Sequence, residues 1–274
     1  MQIKAAFLLL LSASPIDRVA AAGCTTKQIS SMDVGSCTCA GQLTGCTTNC
    51  AVCSGAFTPT KKVKSCSGGC TDSEHDCQAC GIWFHTLCNC LQHPTGSTPC
   101  PNSGSITKGG PPVWVLLKNS GQGHDLVTTT ELLPGIEKMG PGHDQGWQFA
   151  QKESTPKSQA VFLNSVRARD MEQVHIHLCN SNQATAKMLS QEKIKSSTQL
   201  KQLDGDKNLY CLGVDHAVRI TGFAGIIANF MANLPSTISK PCKELVGAGI
   251  IQDTTGRTWA CASTNSGGPQ DKFC

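Results

Sequence analysis

The apolar run near the N-terminus, Ala5 to Leu11, has only seven residues, far short of the ~20 needed to span a bilayer. Charge of one sign is scarce as well. Lys and Arg number 23 against 19 Asp and Glu, an excess too small and too scattered to imply a nucleic-acid partner. No Gly-x-Ser-x-Gly elbow is present, which argues against chemistry built on a nucleophilic serine. Residues 24–100 have few aliphatic side chains and much Gly, Ser and Thr. Such a segment buries little core, so covalent or metal staples must replace burial. The chain shows no internal sequence repeat and no low-complexity tract longer than a short linker.

What the chain has in excess is cysteine, and its distribution divides the molecule. Of 18 cysteines, 13 lie within residues 24–100 and five follow, at Cys179, Cys211, Cys242, Cys261 and Cys274. Lys4, the Ala5–Leu11 run and the small residues Val19 to Gly23 read as a signal peptide cleaved after residue 23. An uncleaved anchor and a lipid-modified Cys24 are the rival readings. Export and an even cysteine count together imply a secreted protein with a disulfide framework. The expected organisation is a signal peptide (1–23), a cysteine-rich module (24–100), a Gly/Ser/Pro linker (101–112) and a main domain (113–274). In the module, Cys77, Cys80, His85 and Cys88 have the spacing C-x2-C-x4-H-x2-C, which weakly resembles part of a PHD-type zinc finger. Thiolate and imidazole ligands at such spacing suit tetrahedral zinc. No clean final C-x2-C pair follows, so disulfides are the leading reading and zinc the alternative.

The main domain carries the periodicities of an α+β fold. Val113–Lys118, Asp125–Thr129, Gln159–Leu163, Gln173–Cys179 and Tyr210–Ile220 read as strands, and Gly247–Ala262 as a hairpin turning at Asp253–Gly256. Residues 143–152 and 182–196 read as helices, the second capped by Ser181 or Asn182. Gly222–Leu234 reads as an apolar helix ended by Pro235. Core packing is the leading reading of that helix, and a membrane-surface contact the alternative.

Chemistry concentrates in Asn164 to Cys179. On a strand, alternate side chains share a face, so Val174, Ile176 and Leu178 enter a core while His175, His177 and Cys179 point the other way. Two imidazoles so placed stand about 7 Å apart at Cα and can share one small ligand. Imidazole ionises near pH 6.5, so much of it is neutral and nucleophilic at neutral pH. A covalent phospho- or nucleotidyl-histidine divides one hydrolysis into two displacements. His177 is the expected nucleophile and His175 its orienting neighbour. Asn164 offers an amide to a ribose or phosphate oxygen, and Arg169 a bidentate fork for phosphate.

This segment resembles the histidine-triad (HIT) signature, with Asn164 eleven residues ahead of His175. It is closer still to the CDP-diacylglycerol diphosphatase branch. The likeness lies in Asn164-Ser165, in Arg169, and in the run Gln173-Val-His-Ile-His-Leu178. Val115–Lys118, the Gly135-Ile-Glu137 turn and the Gly249–Ala260 hairpin resemble the same branch. The resemblance implies a HIT-like antiparallel sheet with helices. It also implies hydrolysis of CDP-diacylglycerol to CMP and phosphatidate, or of another nucleoside diphosphate ester, with no cofactor required. His177 matches the nucleophile and His175 the orienting histidine. Asn164, Arg169 and Gln173 match substrate-binding positions. Cys179 stands where other members of the wider family carry a third histidine, and reads here as half of a disulfide. His124 and His143, in two Gly-His-Asp tripeptides, read as turn residues with general-acid chemistry as the alternative. His216, in Val214-Asp-His216, is read in the same way, with the same alternative. The function from a different class is a non-enzymatic secreted protein whose cysteine-rich module binds a partner while the hydrolase domain is a relic.

Overall fold

The computed structural model describes residues 114–117, 124–129, 133, 135–169, 174–238, 241–264 and 268–274. The expected signal peptide, the cysteine-rich module with its zinc option at Cys77, Cys80, His85 and Cys88, the linker and Gln173 lie outside the described residues. Within them the protein is a mixed α/β structure built on one antiparallel sheet. Its strands are β1 (Trp114–Leu117), β2 (Asp125–Thr129), β3 (Gln159–Leu163), β4 (His175–Asn180), β5 (Lys201–Gln202), β6 (Leu209–Val214), β7 (Gly247–Gln252) and β8 (Thr258–Ser263). They form an eight-stranded sheet in the order β1-β2-β4-β3-β7-β8-β6-β5.

The sheet buries both faces, which explains why its central strands are apolar almost throughout rather than alternating with polar residues. On one face Val127, Val161, Leu163, Ile176, Leu178, Ala248 and Ile250 meet two helices, α1 (Asp144–Glu153) and α3 (Phe223–Ala232). These helices contribute Trp147 and Phe223, whose rings meet edge to face with centres 4.9 Å apart. On the other face Ala160, Phe162, Cys179, Cys211, Trp259 and Cys261 lie beneath α2 (Gln183–Gln191) and the short α4 (Gln270–Phe273). Residues 223–232 are therefore a core-packing helix, two residues shorter at its C-terminal end than expected, burying Phe223, Ala224, Ile227, Phe230 and Met231. No helix among the described residues is long and apolar enough to cross a membrane.

The expected elements differ from the observed ones chiefly at their ends. The strand expected to run to Ile220 stops at Val214, because Ile220 is taken by α1. Gln151 donates to its carbonyl (2.9 Å) and accepts from its amide (2.8 Å), replacing a strand ladder. The helix expected over 182–196 stops at Gln191; Asn182 is its cap, accepting from the Thr185 amide at 3.0 Å. Its C-terminal neighbour Glu192 turns away and accepts from the Gly205 and Asp204 amides. The β7–β8 hairpin turns where expected. The buried Asp253 carboxylate accepts from the Thr255 amide, the Arg257 guanidinium and the Trp259 indole. Gly256 sits at φ 92°, a left-handed conformation that glycine adopts without a steric penalty.

A topological repeat runs through the sheet, although no sequence repeat announces it. Read from one edge, the first four strands lie in the order β1-β2-β4-β3; read from the other, the last four lie β5-β6-β8-β7. The helices follow suit. α1 and α3 precede the third strand of each half and cover one face, while α2 and α4 follow the fourth strand and cover the other. The halves meet at β3 and β7, where Phe162 faces Gly249. A two-fold axis through that pair sets His177, the β4 partner of Phe162, against Cys261, the β8 partner of Gly249. The second half holds a disulfide there, joining Cys261 to Cys211 directly across β6 and β8. Only the first half keeps an imidazole at this position.

Candidate active site

β4 lies between β2 and β3, and the registers place each reactive side chain. His177 stands opposite Leu126 on β2 and Phe162 on β3; His175 stands opposite Thr128. Val174, Ile176 and Leu178 enter the core on the helix α1 side, so both histidines share the other face, as the strand period demands. Their ring centres are 4.9 Å apart. The Phe162 ring lies flat against His177, with centres 4.3 Å apart and planes within 9° of parallel. This stack holds the imidazole plane between two neighbouring strands.

A third imidazole joins them. His124 immediately precedes β2, and the β2–β4 register, continued one step past Asp125 and Leu178, sets it level with Cys179. Its ring centre lies 5.6 Å from that of His177 and 6.5 Å from that of Phe162. Cys179 itself is bonded to Cys274, which ties β4 to the C-terminal residue across 95 positions. Sequence reading assigned Cys179 to a disulfide but took His124 for a turn residue. No local signal in Gly123-His-Asp125 reveals that strand pairing will carry His124 to β4.

The electrostatics of His177 are unusual. It is only 5% exposed, and neither ring nitrogen has a hydrogen-bond partner among the described residues. More than nine in ten buried polar groups are paired, and leaving one unpaired costs about 1–3 kcal/mol. Burial, and then the charges of His175 and His124, hold its pKa well below the ordinary histidine value. The ring is therefore kept neutral, with free lone-pair capacity, at and well below neutral pH. Those are the properties of a nitrogen nucleophile.

Asn164 follows β3 directly. The β3–β4 register ends at the pair Leu163–Ile176, so the next position places the half-buried Asn164 level with His175. Behind it, Ser165 folds the chain into a tight turn, its carbonyl accepting from the Ala168 and Arg169 amides at 3.1 Å. Arg169 is buried, and its guanidinium grips Glu137 with two bonds of 2.6 and 2.9 Å. This pair joins the Gly135-Ile-Glu137 turn to the turn after Asn164. The joint explains Gly135, where a Cβ would collide with the Arg169 Nη1. The Arg169 charge expected to meet phosphate is thus balanced by Glu137, and its visible work is to shape the loop that carries Asn164.

The other two described histidines, His143 and His216, are placed elsewhere. His143 accepts from the Gly140 amide within its own turn at 2.9 Å. The adjoining Asp144 reaches α3, accepting from the Gly222 amide (2.7 Å) and the Ala224 amide (3.3 Å). Its carboxylate caps a helix 78 residues away in sequence, favoured there by the N-terminal dipole. His216 is exposed, with its carbonyl accepting from the Thr258 hydroxyl. Two surface cavities, one beside Arg219 and Gln252, the other beside Leu200 and Phe230, do not include the histidine cluster. Among the described residues, no group of three or more His, Cys, Asp or Glu side chains is spaced to hold a metal ion.

Together the sheet and the cluster define a mixed α/β protein with a one-sided, three-imidazole site on adjacent strands. No protein-family model matches the chain, and no curated protein matches it in sequence.

Proposed function

We propose that the chain is a hydrolase of nucleoside diphosphate esters, with His177 as the nucleophile that attacks phosphorus. The reading rests on one observation above the rest: a buried imidazole with both nitrogens unpaired among the described residues, held neutral and clamped in plane by Phe162. A nucleophile needs a free lone pair at rest, and a purely structural histidine would have hydrogen-bond partners. His175, adjacent on the same strand face, orients the ring. Asn164 sits level with His175 where its amide would hold a ribose or phosphate oxygen. The substrate with the most support is CDP-diacylglycerol, because the Asn164-Ser165 and Gln173–Leu178 pattern resembles its diphosphatases. The fold would then be the HIT-like sheet that this resemblance implies.

The reaction proceeds in two displacements. A His177 nitrogen forms a bond to the nucleotide phosphorus as the bond to the departing phosphate ester breaks. Water then attacks the same phosphorus and releases CMP, regenerating the free imidazole. The test is turnover of CDP-diacylglycerol, and of a soluble CDP ester, by the full oxidised chain, followed by acid-free trapping of the labelled adduct. CMP release from wild type, a nucleotidyl group mapped to His177 and loss of both in a folded His177→Ala variant are the expected results. Absence of turnover on every diphosphate ester, with partner binding through residues 24–100, would instead establish the binding protein.

A further inference from the structure

We infer that His124 is the general acid and base of this site, protonating the oxygen that departs and deprotonating the water that attacks. The inference rests on His177 being the nucleophile. Strand pairing sets His175 and His124 on opposite sides of His177 along the sheet: His175 is level with Thr128, and His124 is level with Cys179. The two neighbours are not equivalent. His175 is sealed at 3% exposure, whereas His124 is half-buried at the start of β2. A group that protonates the departing oxygen and then takes a proton from the attacking water must be reached by both, and of the three rings His124 is the one that is partly exposed. It does not hydrogen-bond His177, whose nitrogens are unpartnered among the described residues. With ring centres 5.6 Å apart, an oxygen on a phosphorus bonded to His177 would fall beside the His124 ring.

The proton balance closes over the two displacements. In the first, the P–N bond to neutral His177 forms, the P–O bond to the leaving group breaks, and the His124 imidazolium passes its proton to the departing oxygen. In the second, neutral His124 takes a proton from water as the new P–O bond forms and the P–N bond breaks. His177 leaves neutral and His124 leaves charged, ready for the next ester. The same group serving as acid and then base is the economical arrangement for a double displacement.

The experiment compares burst rates of adduct formation for aryl esters of CMP, from dinitrophenyl to phenyl, in wild type, His124→Asn and His124→Gln. A dinitrophenolate departs without a proton, whereas a phenolate needs one. Loss of a general acid therefore slows the phenyl ester by about 10²–10⁴-fold and the dinitrophenyl ester by less than about tenfold. Restoration of the phenyl-ester rate by added imidazole would support the role further. Equal slowing across the series, or none, in both folded variants overturns the role of His124 and leaves His177 as nucleophile intact. A wild type that forms no adduct with any aryl ester or with a CDP ester overturns both.

Discussion

Replacing His177 with Phe separates what this site does for chemistry from what it costs the fold. Phe keeps a flat ring against Phe162, which lies 4.3 Å away and nearly parallel, but carries no nitrogen. At pH 7 the substitution removes two buried unpaired polar atoms, a relief of about 1–3 kcal/mol, set against the strain of a slightly larger ring. The variant is therefore expected to be inactive and no less stable than wild type. Its pH dependence is the sharper readout. In the unfolded chain His177 titrates near pH 6.5, while in the fold its pKa is held well below that by burial and by His175 and His124. Between those two values the unfolded state binds one more proton. Stability is therefore complete above about pH 6.5 and falls as pH drops, by up to about 1.4 kcal/mol per pH unit from this one group. Urea unfolding of the oxidised chain at pH 7, 6 and 5 measures it. The wild-type free energy should fall more steeply than that of His177→Phe, the gap widening below pH 6.5. Parallel curves, or a steeper fall in the variant, would refute the neutral, buried nucleophile.

Two other perturbations and one mapping experiment follow from the same structure. Arg169→Ala should cost about 3–5 kcal/mol by leaving the largely buried Glu137 carboxylate without its partner, and Glu137→Gln in the same chain should recover part of it, read as unfolding midpoints. Cys274→Ser opens a link spanning 95 positions, worth about 4–5 kcal/mol in the chain-entropy model, and should lower the melting temperature while freeing α4 to exchange amide hydrogens. Cys242 is disulfide-bonded, and the other four cysteines after residue 100 pair among themselves. Peptide mapping without reduction should therefore find Cys242 in a cross-linked peptide. A free thiol at Cys242 would contradict that pairing.

Several features were legible in the chain itself. The alternation around His175 and His177 placed both rings on one face because a strand's side-chain period of two is a local property, independent of what pairs with it. For the same reason Asp125–Thr129 and Gln159–Leu163 were bounded correctly, and Asp253–Gly256 marked the hairpin turn through its residue types alone. The cysteine count and the export pattern implied disulfides, and two described pairs are present.

Tertiary structure alone decided the rest. That His124 joins the cluster follows from β2 pairing with β4, a contact between segments about fifty residues apart. No local propensity encodes it. The partners of Arg169, Asp144 and Cys179, at Glu137, the α3 N-terminus and Cys274, are likewise choices among many charges, helix ends and thiols, settled only when the sheet closes. The two-fold topology left no trace in the sequence because backbone pairing repeats without its side chains: one half packs a Cys211–Cys261 disulfide where the other presents His177. Periodicity dictates which way a side chain points, whereas its neighbours depend on strand order, and strand order is set by packing the whole sheet at once.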